Sequence, residues 1–338
     1  MKEFYSCPLI NAMYINFNGR LDNEKAITIC CEPIEDRPGI SFATDVETTL
    51  SNFIDARLRL INEGYTSDEE YSLGCRKCAR YQKKEWAVSQ QILYVNLSMY
   101  PSPCQCKCFY CKVHSESQAI ADPLIKERYE HLFDLIDYAK RTGVIAPNAA
   151  WQISCGEIAI HPYKNRIMDL IRGQRVTFYT NCFIYDEQIA ENLRVNSGSA
   201  INLSIDAGTP ETWMKVKGVD NFEDVMMNLT QYYVAGNKPG QITLKYIVFP
   251  GINDSEEDYI SVIEIMKVLK VKHLTISRDT RDKYVSSPEK VEELMYAAAR
   301  LVYKCYINDI SMDMFTYTKE EQARIVEVVN DFLDERAN

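Results

Sequence analysis

The sequence predicts an α/β protein built on a parallel sheet, curled or doubly wound. Its 338 residues suit one large α/β domain, or a domain of about 250 residues with an appendage. From about residue 90 onward, strand-like and helix-like segments alternate six times. The strands are apolar and β-branched, as strands covered on both faces of a parallel sheet are.

QILYVNLS (91–98) is the first strand, and a long helix is predicted over 116–141 with Leu124, Tyr129, Leu132, Leu135 and Ile136 on one side. AAWQISC (149–155) is the second strand, ahead of a helix near 162–172. RVTFYTN (175–181) is the third, ahead of a helix over 186–194. SAINLSID (199–206) is the fourth and leads into helical segments near 209–216 and 221–235. QITLKYIVFP (241–250) is the fifth, with a helix at 254–269, and VKHLTISRD (271–279) is the sixth. The remainder to Asn338 reads as mostly helical. Residues 1–85 differ: strand-like pieces at Ala12–Phe17 and Ala26–Cys31 flank a turn at Asn18-Gly19, a helix-like stretch covers 47–63, and a cysteine pair follows at 74–78.

Composition narrows the class. The chain is 46% hydrophobic and 25% charged, which excludes disordered and fibrous classes. No stretch approaches the ~18 apolar residues of a membrane helix, and the first residues lack the features of a signal peptide. The expected location is therefore the cytosol, with no membrane partner. Net charge is −10, which repels a phosphate backbone, so nucleic acid is not an expected partner. Twelve cysteines are too few for a disulfide scaffold, and nine of them fall at or before Cys111. Clustered thiols in a reducing compartment point to metal or redox chemistry.

Cys104, Cys108 and Cys111 give the spacing C-x3-C-x2-C just past the carboxyl end of the first strand, the edge where parallel α/β sheets put their ligands. Three thiolates on a tight loop can hold three irons of a cubane cluster and leave the fourth iron open to a substrate. A zinc loop with His114 as fourth ligand is the competing reading of this motif taken alone.

With the segments that follow it, the motif resembles the radical S-adenosylmethionine (SAM) superfamily over roughly residues 90–280. Ser154-Cys-Gly-Glu157 ends strand two and resembles that family's Gly-Gly-Glu element. Tyr179-Thr-Asn181, Ser204-Ile-Asp206 and Lys245–Asn253 end strands three, four and five. The resemblance implies a partial (β/α)6 radical SAM barrel over 86–282, a helical segment over 283–338, and a SAM-binding [4Fe-4S] cluster on Cys104, Cys108 and Cys111. It further implies that Glu157 accepts from the methionyl ammonium, with Gly156 allowing close backbone approach. Ser204 and Asp206 would meet the ribose, with Asn181 a further contact. Tyr110 would lie along the adenine, and Val248 to Ile252 would bracket its edge. Cys155 stands where the family usually has a glycine, Ile158 where proline is common, and Cys106 reads as a bystander in the loop.

Cys7, Cys30 and the pair Cys75 and Cys78, with Cys31 able to replace Cys30, resemble the auxiliary-cluster domains called SPASM or twitch. The implied unit covers 1–85 and would hold a second [4Fe-4S] cluster; a structural zinc ribbon is the alternative reading. The implied activity is oxidoreductase chemistry. SAM is cleaved reductively to a 5′-deoxyadenosyl radical, which takes hydrogen from a small-molecule or carbohydrate-like substrate, and the auxiliary cluster relays an electron in a dehydrogenation or epimerisation. A flavodoxin- or ferredoxin-type donor would reduce the enzyme. A peptide- or protein-modifying maturase is the alternative, and a zinc-binding regulator a remote one. Lys245, Arg278 and Asp279 are candidates to grip a substrate or to form ordinary salt bridges. His114, His131, His161 and His273 show no catalytic spacing, and His161 reads as structural.

Overall fold

The computed structural model describes residues 3–17, 25–30, 38–66, 78, 80–99, 101–111, 113, 117–154, 156–236, 238, 240–279 and 287–337. The expectations for Cys31, Cys75, His114, Cys155 and the Asn18-Gly19 turn lie outside the described residues. The fold is α/β, with parallel strands and helices. The chain divides into two compact units, Met1–Cys104 with Ser115–Phe178, and Gln105–His114 with Tyr179–Asn338.

The first unit contains β1 (Phe4–Ser6), β2 (Tyr14–Phe17), β3 (Ile27–Thr28), β4 (Gly39–Ile40), β5 (Gln82–Lys84), β6 (Ile92–Leu97), β7 (Ile145–Ile153) and β8 (Arg175–Tyr179). β6, β7 and β8 pair in parallel. β2 also pairs in parallel with β6, Tyr14 opposite Tyr94 and Phe17 opposite Leu97. The amino-terminal segment thus extends the same sheet, with β3 and β4 added antiparallel beyond β2. All four residues of β2 are buried, as befits an interior strand, and the Asn16 amide is satisfied by Thr28 Oγ1. β1 pairs with β5.

Two local details depart from the sequence reading. β7 begins at Ile145, earlier than predicted, and exposed Pro147 and Asn148 fall where the register jumps from Ile92↔Ile145 to Tyr94↔Ala150. Proline lacks the N–H a regular ladder needs, so it sits at the irregularity. The predicted helix over 116–141 starts at Pro123, where the Asp122 carboxylate accepts from Leu124 N. Leu124, placed by periodicity on the apolar face, lies in that first turn and is exposed. Tyr129, Leu132, Phe133, Leu135 and Ile136 form the buried face.

In the second unit β9 (Ala200–Ser204), β10 (Ile242–Val248), β11 (His273–Arg278) and β12 (Ser311–Phe315) run parallel in that order. β12 is a strand in a tail predicted to be mostly helical; it lies between helices Pro288–Ile307 and Lys319–Ala337. Its segment SMDMF alternates with only its methionines half-buried, which is weak patterning for a strand at a sheet edge. One face of this sheet carries Ile201, Leu203, Leu244, Tyr246, Leu274 and Ile276, all buried. Period-two alternation puts Asn202, Ser204, Thr243, Lys245 and Thr275 on the other face. Among the described residues no helix is long and apolar enough to cross a membrane.

Candidate functional site

The site is built from the loop that follows β6. Its entry is held within the first unit. Glu157 N donates to Pro103 O at 2.8 Å, and Gly156 adopts φ +47°. A Cβ on Gly156 would stand 2.5 Å from Pro103 O and 2.8 Å from Ser102 Oγ. The glycine that the resemblance reserves for ligand approach is therefore already required by the cysteine loop. Glu157 is fully buried, and its Oε1 accepts from Ala159 N at 3.1 Å, capping the short turn Ile158–Ile160.

A second support comes from His161. Tyr163 N donates to His161 Nδ1, so the neutral ring carries its proton on Nε2, which faces the Tyr129 hydroxyl at 3.3 Å. Tyr129 in turn donates to Pro101 O at 2.8 Å. Burial pushes the His161 pKa down to about 4.

The body of the loop belongs to the second unit. Lys107 N donates to Lys217 O and Phe109 N to Val216 O, carbonyls at the end of the helix Pro210–Lys217. Those carbonyls have no partner within a helix, so the loop satisfies them. Gly218 ends that helix in the left-handed conformation and leaves room for Lys107 O, which a Cβ would approach to 2.8 Å.

Beneath the loop lies a buried charge network. Asp206 adopts φ +48°, is fully buried, and pairs with Lys217 Nζ at 2.5 Å. Its other contacts are the Tyr110 hydroxyl at 2.8 Å and Ile247 N at 2.7 Å. Burial alone would lower the Lys217 pKa, but the Asp206 carboxylate outweighs it and the net direction is upward. Asn253, also fully buried, donates to Asp206 O and Ile247 O and accepts from Phe249 N, fixing the turn after β10. Tyr110 stacks on Phe249 at 5.1 Å and Phe109 meets the same ring edge-on at 4.9 Å.

Three residues assigned to SAM by resemblance are thus found in other company. Asp206 is committed to Lys217, Tyr110 and Ile247, and Tyr110 to Asp206 and Phe249. Asn181 donates to Gln105 Oε1 at 3.3 Å and accepts from Phe183 N at 3.0 Å. Ser204 is half-buried on the polar face of β9, and Val248 is buried at the end of β10. Lys217 was missed in the sequence, and Phe249 and Asn253 were read only as part of the strand-five segment, without these contacts. The usable signal for Lys217 was a lysine directly before a helix-ending glycine.

Cys104, Cys106, Cys108 and Cys111 take part in no disulfide. Cys106 is buried and is no bystander: its thiol donates to Cys108, which with help from Lys217 brings the Cys108 pKa down to about 7 against the effect of burial. Among the described residues no three Cys, His, Asp or Glu side chains converge as a preformed metal site. The donor chemistry nevertheless fits an iron–sulfur cluster, because three cysteines outside any disulfide share one short loop and the Cys108 pKa is lowered to about 7. Towards the amino terminus, Cys7 is buried and its Sγ accepts from Ile10 N. Burial pushes its pKa up, and Cys78 is near enough to add to that shift. Cys30 is half-buried.

Of the candidate substrate contacts, Arg278 is tied to Glu321 at 2.5 Å and to Thr316 O, which makes it structural. Lys245 forms no ion pair or hydrogen bond among the described residues; its ammonium lies 5.4 Å from the Phe315 ring. A separate cavity of about 410 Å³ is lined by Tyr296, Phe332, Arg300, Lys304 and Arg336, and Glu256 pairs with two of these cations, Arg300 and Lys304.

Comparison with known proteins agrees with this architecture. Residues 103–263 match the profile described as the Radical SAM superfamily. No curated protein matches it. Among solved structures, Streptococcus suis SuiB bound to precursor peptide SuiA aligns over 86% of this chain and 58% of that one, at 14% identity and TM-score 0.52. SuiB bound to S-adenosylmethionine aligns over 83% and 61%, at 14% identity and TM-score 0.52. The chain spans about three-fifths of the length of those structures, and the likeness is one of fold.

Proposed function

We propose that the chain is a radical SAM oxidoreductase acting on a small-molecule or carbohydrate-like substrate. The observation that carries this reading is the C-x3-C-x2-C loop, braced by Gly156 and Glu157 at its entry and by the helix Pro210–Lys217 at its body, inside the segment that matches the family profile. Cys104, Cys108 and Cys111 would hold the [4Fe-4S] cluster, which with bound SAM supplies the single electron that cleaves SAM to a 5′-deoxyadenosyl radical, the species that takes hydrogen from the substrate. The chain's own work is to hold and shield. Cys106 stabilises the Cys108 thiolate, as a metal ligand requires. Phe109, Tyr110 and Phe249 pack as an aromatic cluster at the loop. Gly156 and Glu157 of the first unit, and Asn181, Ser204, Asp206 and Val248 of the second, are the residues that would contact SAM.

We further assign residues 1–85 to an auxiliary-cluster unit of SPASM or twitch type, 86–282 to the radical SAM barrel and 283–338 to a carboxyl-terminal segment. Cys7, Cys30 (or Cys31), Cys75 and Cys78 would close a second [4Fe-4S] cluster that relays an electron. A flavodoxin- or ferredoxin-type donor in the cytosol would reduce the enzyme. A peptide substrate is the second reading, favoured by the shared fold with SuiB, whose structure contains a precursor peptide.

Anaerobic purification tests the proposal. Roughly eight irons per chain, absorbance near 400 nm bleached by dithionite, and 5′-deoxyadenosine formed from SAM are expected. Two zincs and no deoxyadenosine would identify a zinc-binding regulator instead. Deuterium transfer from a labelled substrate into deoxyadenosine separates catalysis from a role as a SAM sensor.

A further inference from the structure

We propose that Lys245 anchors a carboxylate of the substrate on the polar face of the sheet formed by β9 to β12. The inference rests on the enzymatic reading above and adds the substrate's chemical class. Parallel register aligns Ser204, Lys245, Thr275 and Asp313 in one row across the four strands. The next row towards the carboxyl ends holds Ile247, Ser277 and Phe315. Side chains in adjacent rows on one face lie within reach of a common small ligand.

Charge on this face is unbalanced in a particular way. Asp206 and Asp313 both act on the Lys245 ammonium electrostatically, Asp206 the more strongly, but neither forms a direct ion pair with it. Asp206 is paired with Lys217, and Asp313 is engaged by His273 Nε2 at 2.8 Å and by Thr275 Oγ1 at 3.1 Å. Arg278 is paired with Glu321. The one direct contact of the Lys245 ammonium among the described residues is the Phe315 ring. A half-buried ammonium without a direct counter-ion is unfavourable unless a ligand supplies one. An independent observation points the same way. Ser277 is 1% exposed, and among the described residues its Oγ has no hydrogen-bond partner. Leaving a buried hydroxyl unsatisfied is unfavourable. A carboxylate has two oxygens, one for the ammonium and one for the hydroxyl, and its single charge matches the single ammonium on this face of the described strands that lacks a direct ion pair. A phosphate dianion would bring a second charge without a second such cation among the described residues of the face.

The test uses the anaerobically reconstituted full-length chain without SAM, titrated in ligand-detected NMR. The probes are butyrate, N-acetyl-L-glutamic acid α-methylamide and its neutral isostere N-acetyl-L-glutamine α-methylamide. Both acids bind the wild type and the neutral isostere does not; the tighter of the two acids distinguishes a small acid from an acidic peptide side chain. Lys245→Gln weakens the acids at least five-fold, Lys245→Arg restores them, and Ser277→Ala gives a smaller loss. No binding of either acid, equal binding of the neutral isostere, or an unchanged Lys245→Gln variant overturns the proposal. So does loss of SAM binding in Lys245→Gln with the acids unaffected, since the anion would then be the methionyl carboxylate of SAM. Deoxyadenosine formation, measured on the same preparations, reports separately on the radical SAM reading.

Discussion

Replacing Lys217 by methionine removes one half of the most deeply buried ion pair in the second unit. The side chains of Lys217 and Asp206 are 4% and 0% exposed and stand 2.5 Å apart. Methionine fills a similar volume, so the main loss is the counter-ion. Asp206 keeps Ile247 N and the Tyr110 hydroxyl, but its charge is no longer balanced. Breaking a buried pair on one side costs about 3–5 kcal/mol. For a cooperative unit of about 170 residues, ~2–4 °C in Tm per kcal/mol gives a drop of roughly 6–20 °C. The assay is urea denaturation and thermal melting of the apo chain, for Lys217→Met, Asp206→Asn and the double variant. The double variant should recover stability relative to Lys217→Met, because the lone charge is gone, with a coupling of about 1–3 kcal/mol. A loss below about 1 kcal/mol in Lys217→Met, together with additive behaviour in the double variant, would refute the reasoning.

Four further outcomes are expected. His161 is neutral in the fold, with its pKa at about 4 against about 6.5 when unfolded, so its contribution is complete above pH 6.5 and declines as pH falls towards 4. The loss reaches about 3 kcal/mol, and His161→Gln should flatten that part of a stability–pH profile measured by denaturation. Gly156→Ala forces a Cβ to 2.5 Å from Pro103 O at a positive φ and should lower stability by at least about 2 kcal/mol; unchanged melting would count against the bracing of the loop entry. Arg57 is 2% exposed and donates to the carbonyls of Ile10, Asn11 and Ser89, so Arg57→Met should destabilise the first unit by about 3 kcal/mol or more in urea titrations. Cys108→Ala should abolish SAM cleavage, whereas Cys75→Ala should spare uncoupled cleavage and block product; product formed by the second variant would exclude electron relay at the auxiliary site.

Much of the fold was legible because buried parallel strands repeat one signal. Each of the six predicted strands from residue 90 corresponds to an observed strand, and the Asn202–Ser204 stripe of β9 lies on the polar face as alternation requires. What escaped the sequence was local and for identifiable reasons. β12 is an edge strand with weak patterning. The exposed position of Leu124 is set by the Asp122–Pro123 cap, which takes precedence over periodicity. The parallel pairing of β2 with β6 joins residues about eighty positions apart, a distance over which no local pattern carries information.

The site was legible in a different sense: the sequence marked where the chemistry lies but not which residues perform it. Asp206, Tyr110 and Gly156 were read as ligand contacts from their positions in the family pattern. In the fold Gly156 lies against Pro103 O at the entry of the cysteine loop, while Asp206 is engaged by Lys217, Ile247 N and the hydroxyl of Tyr110, which itself belongs to that loop. A polar side chain that is fully satisfied internally preorganises its neighbours at the expense of its own freedom to bind. Residues with unspent capacity are therefore guides to what the protein takes from outside, and among the described residues they include Ser277, which lies on the row next to Lys245 on one sheet face. Sequence periodicity could place Lys245 on that face. It could not show that every competing cation was already paired, and that accounting is what turns a lysine on a strand into a candidate anchor.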